Sequence, residues 1–198
     1  MADTTREQFI SAATELFAER GFYGVSIAAI AQELGLTKQA LLHHFGSKER
    51  LYGEVLKALG AHLIAAIDNR EEADPAQRLE NFVLDLSGDG ALSGPAQRLI
   101  IRELMDNRAR LGDAGTWYLK PFLDRLIALY ISIPGREDTD EMVALARIYQ
   151  LIGAVSYFEI SEGTLTHMYG ADAYNRLRNA HPAALKAMTA AMLGNTSR

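Results

Sequence analysis

The stretch "SIAAIAQELGLTKQALLHHF", Ser26 to Phe45, constrains this chain more than any other. Ser26 and Thr37 stand where helices would begin, and Gly35 stands between them. A serine or threonine hydroxyl accepts from the unbonded N–H groups of a helix's first turn. Glycine takes the left-handed turn that ends a helix without steric cost. Ile27, Ile30, Ala31 and Leu34 fall at i, i+3, i+4 and i+7, one apolar stripe closed by Gly35. The second, very short helix holds Leu41 and finishes at Phe45. Ala31 is small enough for the two helices to cross closely, with Ile30, Leu34, Leu36 and Leu41 as anchors around the turn. The outward face of the second helix then carries Lys38, Gln39, Leu42 and His43.

Helical spacing continues on both sides, and no stretch alternates with period two. Thr4 and Glu7 have the spacing of a capping box, ahead of a stripe of Phe9, Ala13, Leu16 and Phe17 that ends at Gly21. Ser47 opens a long helix through Leu51, Val55, Leu56, Leu59, Leu63 and Ile67, which reaches Asn69 in the acidic "DNREEADP". Further helices are predicted over 76–87, 95–111, 115–133 and 139–161, with a weaker segment at 172–179. A last helix is predicted from Pro182, at its first position, to Leu193. "SGDGALSGP" and "IPGREDTD" read as loops. The fold class is therefore all-α: a helix-turn-helix domain at 1–52, with its motif at about 26–45, then a helical domain at 53–198.

Composition narrows the function. The chain has 198 residues, 48% hydrophobic and 23% charged, enough for a packed core. It has no cysteine, which excludes disulfides and thiolate metal sites and suits a cytoplasmic protein. No apolar run approaches the roughly 20 residues that span a bilayer, so no membrane partner is expected. Net charge is −5, but Leu36–Leu51 holds three basic side chains against one acid. Phosphate contacts need positive charge only where the backbone passes. With no nucleophile–base pair, no His-x-x-x-His and no paired-carboxylate motif, enzyme chemistry, a metal and a cofactor are all unexpected. His43 and His44 point about 100° apart on a helix and cannot chelate one ion as an i, i+4 pair would.

"SIAAIAQELGLTKQALLHHFGSKERLYGEVL", preceded by "FAERGFYGVS", resembles the DNA-binding segment of the TetR (tetracycline-repressor-like) family of regulators. The resemblance covers about a quarter of the chain. It implies a homodimeric, ligand-responsive transcriptional regulator, expected to be a repressor that a small-molecule effector releases from palindromic double-stranded operator DNA. It also implies roles for particular residues. Thr37 and Lys38 match positions that touch backbone and bases at the start of the recognition helix, and Gln39 suits bidentate pairing with adenine. His43 and His44 match positions near phosphates, with a half-buried structural role as the alternative for His44. Lys48 matches a phosphate-clamping lysine at a helix N-terminus. Leu42 stands where the family usually has tyrosine; it either meets a thymine methyl or packs. A helix-turn-helix serving protein contact is the rival reading, against which the lysines at helix starts weigh.

The second half carries less specific signals. Met105, Trp117, Phe122, Tyr149 and Phe158 are candidates for an effector pocket, although aromatic residues of a helical bundle are commonly core. "IIRELMDN" allows surface pairs Arg102–Asp106 and Glu103–Asn107 at i, i+4. Residues 139–161 are apolar nearly all round. Such a helix is either central core or, as the resemblance implies, half of a four-helix dimer interface. Leu151, Val155, Leu185, Met188 and Met192 are the candidates there, and Gly153 would permit close approach.

Overall fold

The computed structural model describes residues 2–88, 90, 92–106 and 118–194. Among these are ten helices and no strand, so the chain is all-α. They are α1 (Ala2–Arg20), α2 (Ile27–Glu33), α3 (Lys38–Phe45), α4 (Lys48–Asp68) and α5 (Pro75–Asp85). Then follow α6 (Pro95–Asp106), α7 (Lys120–Ile131), α8 (Glu141–Ile160), α9 (Glu162–Tyr169) and α10 (Ala171–Leu193). The described residues of Met1–His62 and Gly94–Lys120 form one compact unit, those of Leu63–Ser93 and Pro121–Arg198 a second.

In the first unit α1 packs on α2 and α6, and α2 on α3. Its core is aromatic: Phe9 meets Phe45 edge-on at 6.1 Å, and Phe17 meets Tyr52 edge-on at 5.0 Å. Rings of this size each bury a large apolar area. Ile30, Ala31, Leu41 and Leu51 are buried with them. Two expectations change. Thr4 lies inside α1, which begins at Ala2, and is not its cap. Leu36 is 38% exposed and does not anchor the turn; Ile30 and Leu41, both fully buried, do that.

Helix α6 also departs from the sequence reading. The Arg102 guanidinium reaches another helix, donating to the carbonyl oxygens of Ala18 (3.0 Å) and Glu19 (2.6 Å). These carbonyls close the C-terminal end of α1, where a cation also meets the negative end of the dipole. Glu103 is buried and accepts from the Tyr52 hydroxyl at 3.1 Å. A side chain buried against another helix is invisible to a count of i, i+4 charges. Asn107 and the Asp106 side chain lie outside the described residues.

In the second unit α10 packs on α5, α8 and α9. Asp74 caps α5 (Ala76 N–H to Oδ1, 3.1 Å) with Pro75 behind it, and Asp140 caps α8 (Met142 N–H to Oδ1, 2.8 Å). Phe82 and Phe122 pack at 5.9 Å. Arg136 donates to the Met192 carbonyl at 2.8 Å and so closes the end of α10. Pro182, expected to begin a helix, lies inside α10. An interior proline removes one helical hydrogen bond and costs about 3 kcal/mol. Burial on both sides of it offsets this: Tyr174 before, Leu185, Thr189 and Leu193 after. Helix α9 was not expected at all, and none of its residues is buried. Helix α8 is, by length and composition, apolar enough to cross a bilayer. The reading that no run approaches that length is therefore corrected, although a core helix passes the same test.

Candidate nucleic-acid interface

Three hydroxyls set the geometry. Ser26 Oγ accepts from the Ala29 N–H (3.0 Å), Thr37 Oγ1 from Ala40 (3.2 Å) and Ser47 Oγ from Arg50 (3.2 Å). Each cap fixes where a helix starts, and accepting this bond leaves the hydroxyl proton available to donate elsewhere. Between α2 and α3 the chain reverses at Gly35, whose φ of +64° is costly for any residue with a Cβ. Gly46, at φ +76°, does the same between α3 and α4.

Helix α3 is held from one side only. Leu41 and Phe45 are buried, while Thr37, Lys38, Gln39 and His43 are exposed. Lys38, Gln39, Leu42 and His43 are spaced i, i+1, i+4 and i+5, so they share one face. Leu42 is half-buried in that face. His44 is half-buried too, its ring 5.8 Å from that of Phe9. It thus has a packing role in this structure, whatever else it contacts.

Lys48 sits differently from a solvated surface lysine. Its ammonium lies 4.3 Å from the centre of the Phe22 ring, a cation–π contact. Partial burial pulls its pKa below the usual lysine value, against the opposing charge of Glu49. Glu49 itself is held below the usual carboxylate range by its own backbone N–H and by the Ser47 hydroxyl. The start of α4 therefore presents a positioned cation beside a firmly ionised carboxylate. Phe22 was not singled out in the sequence; an aromatic directly after Gly21 was the available signal.

The other candidate residues are spread through the chain. Phe122 is buried against Phe82, Phe158 stacks on His181 with centroids 3.7 Å apart, and Tyr149 is 45% exposed. Trp117 and the Met105 side chain lie outside the described residues. Leu151, Val155 and Leu185 are 0%, 1% and 3% exposed and belong to the core of the single chain. The face that α8 and α10 leave open is another one, with Met142, Tyr149, Tyr157 and Ile160 on α8, and Leu177 and Met188 on α10. Met192 is half-buried. Apolar residues all round α8 could not show which side was already covered. A charged cleft among α1, α2 and α6 is lined by Glu15, Glu19, Glu33, Arg20 and Arg98. No group of three potential metal ligands occurs among the described residues.

Two capped helices around a glycine turn, the second exposed along one polar face, define a helix-turn-helix domain. Residues 9–55 match the family of bacterial regulatory proteins described as the tetR family. This segment, about a quarter of the chain, is similar to the DNA-binding segment of the TetR family. The chain is 37% identical to the HTH-type transcriptional regulator LmrA of Bacillus subtilis over 86 residues, 42% of this chain and 46% of that protein. It is 31% identical to the HTH-type transcriptional regulator RutR of Escherichia coli over 128 residues, 63% of this chain and 59% of that one. The matches thus span about half the length of these relatives. In fold, the fatty acid degradation regulator FadR of Bacillus halodurans superposes with a TM-score of 0.71. It covers 98% of this chain and 96% of that one at 17% identity, a likeness of architecture alone.

Proposed function

We propose that the chain is a homodimeric, ligand-responsive, cytoplasmic repressor, reading DNA through residues 1–52 and sensing an effector through 53–198. Two copies of α3 enter successive major grooves of a two-fold operator, about one helical turn apart. Lys38 and Gln39 reach base edges, Thr37, His43 and His44 approach the backbone, Leu42 meets a thymine methyl, and Lys48 holds a phosphate. The observation that carries this reading is the one-sided burial of α3: Leu41 and Phe45 inside, Lys38, Gln39 and His43 outside.

Dimerisation is supported by the face that α8 leaves in water. Met142, Ala146, Tyr149, Gly153, Tyr157 and Ile160 recur every three or four residues and are all exposed. A continuous apolar stripe of this kind marks an interaction surface. A second copy offers the same stripe, and a two-fold pairing suits a two-fold operator.

Effector binding acts on the reading heads through α4 and α6. Helix α4 runs unbroken from Lys48 to Asp68, and α6 grips α1 through Arg102 and α4 through Glu103. An effector preference of only ~1–3 kcal/mol for the DNA-incompetent state lowers operator affinity roughly 5- to 150-fold. The test is in vitro selection from a random duplex library, followed by anisotropy titration of the recovered duplex. Recovery of a two-fold sequence bound by one dimer is expected. Failure to recover any sequence would remove the proposal.

A further inference from the structure

Tyr23 is 64% exposed, the most exposed of the large apolar side chains among the described residues of the first unit. It does not hang from a loose loop. The turn 21–24 opens at Gly21, with φ +72°, and closes at Gly24, where an added Cβ would stand 2.3 Å from the Arg20 carbonyl oxygen. Both ends of the turn thus demand glycine. The Tyr23 ring meets Phe22 edge-on, 5.3 Å between centroids. Phe22 is buried and in turn lies 6.1 Å from Phe17 and 5.1 Å from Tyr52. The same Phe22 ring bears the Lys48 ammonium at 4.3 Å. An outward tyrosine and a positioned cation thus share one buried ring as neighbour, 5.3 and 4.3 Å from its centre. Ser26, at the exposed start of α2, is three residues further on, within roughly 10 Å along the chain.

We propose that Tyr23 is a phosphate-contacting residue of the DNA interface, donating its hydroxyl proton to a backbone phosphate neighbouring the one held by Lys48. Phosphates follow one another every 3.4 Å of axis along a strand, so groups this close serve adjacent phosphates of one strand. A tyrosine already held by its turn loses little freedom on binding, which makes a single hydrogen bond count. The contact positions the protein and carries no base preference. It rests on the DNA-binding reading above and adds a residue to it.

The experiment compares wild type, Tyr23→Phe and Tyr23→Ala on the duplex recovered by selection with the wild-type protein, from 50 to 300 mM salt. Tyr23→Phe should weaken binding about 3- to 10-fold, with the melting midpoint unchanged. The slope of log affinity against log salt should also be unchanged, because a neutral hydroxyl displaces no counterion. Tyr23→Ala should lose at least as much. Wild-type affinity in Tyr23→Phe, or a loss accompanied by a shallower salt slope or a lower melting midpoint, would overturn the assignment. If the wild type binds a selected duplex, such a result removes Tyr23 alone. If it selects none, the DNA-binding reading and this residue fall together.

Discussion

Helices α3 and α8 each bury one side and leave the other in water, but the open sides are opposite in kind. Helix α3 shows Lys38, Gln39 and His43, with Leu41 and Phe45 inside. Helix α8 buries Leu151 and Val155 and still shows Met142, Val143, Tyr149, Tyr157 and Ile160. The polar side of α3 costs nothing in water and offers donors and acceptors to a polar groove. The apolar side of α8 is unfavourable in water by about 25 cal/mol for each Å² left uncovered. One helix meets water with groups that water solvates, the other with groups that it does not. On the proposed reading, the chain separates what it recognises from what it assembles with, helix by helix.

The widest margin for breaking this comparison lies in the core side of α3. Leu41→Ala removes a fully buried side chain and should cost ~2–5 kcal/mol in urea unfolding. Leu42→Ala, half-buried on the neighbouring face, should cost less than half as much while still changing DNA affinity. Equal losses would mean that α3 has no distinct outer face. Next comes Tyr157→Asp, which places a charge in the middle of the open α8 stripe, at a position 73% exposed in the single chain. Sedimentation should show dimer dissociation rising ~100-fold, about 2.7 kcal/mol, with monomer stability unaltered. An unshifted dimer would show that two copies meet elsewhere. Lys48→Ala should then weaken operator binding ~10-fold and make the salt slope shallower by about 0.9, one phosphate's worth. An unchanged slope would show that the ammonium over Phe22 contacts no phosphate.

How legible these faces were in the sequence followed from how local their causes are. Ser26, Thr37, Ser47 and Gly35 act within three or four residues of themselves, so α2, α3 and the turn could be read directly. Pro182 misled for the complementary reason. Its local rule says start, and only the burial of Tyr174, Leu185 and Thr189 against other helices carries α10 through it. Helix α9 buries nothing and so left no periodic stripe to find. Arg102 and Glu103, read as members of i, i+4 surface pairs with Asp106 and Asn107, reach α1 and Tyr52, which no local spacing shows. At the proposed interface Thr37, Lys38, Gln39 and His43 stood out through their positions. Phe22, which carries the Lys48 ammonium, did not, because a contact between residues 26 positions apart has no signature in either neighbourhood.

The smallest expected effect separates the two regions by their histidines. His43 is exposed on α3, whereas His181 is half-buried in the second unit, stacked on Phe158 at 3.7 Å with its Nδ1 3.2 Å from Ser87 Oγ. Burial pulls the His181 pKa below its ordinary value of 6.5. The unfolded chain therefore binds this proton more readily than the folded one, and stability rises with pH wherever the unfolded state holds more protons. The contribution of His181 is thus complete above about pH 6.5 and is lost as pH falls below that value. Scanning calorimetry of wild type and His181→Phe between pH 7.5 and 5.5 isolates it, since phenylalanine keeps the stacked ring and cannot protonate. The wild type should lose a few degrees more of melting temperature over that range than the variant. Equal losses would move the acid sensitivity away from the stack on α8 and α10, and would leave the two units alike in their response to protons.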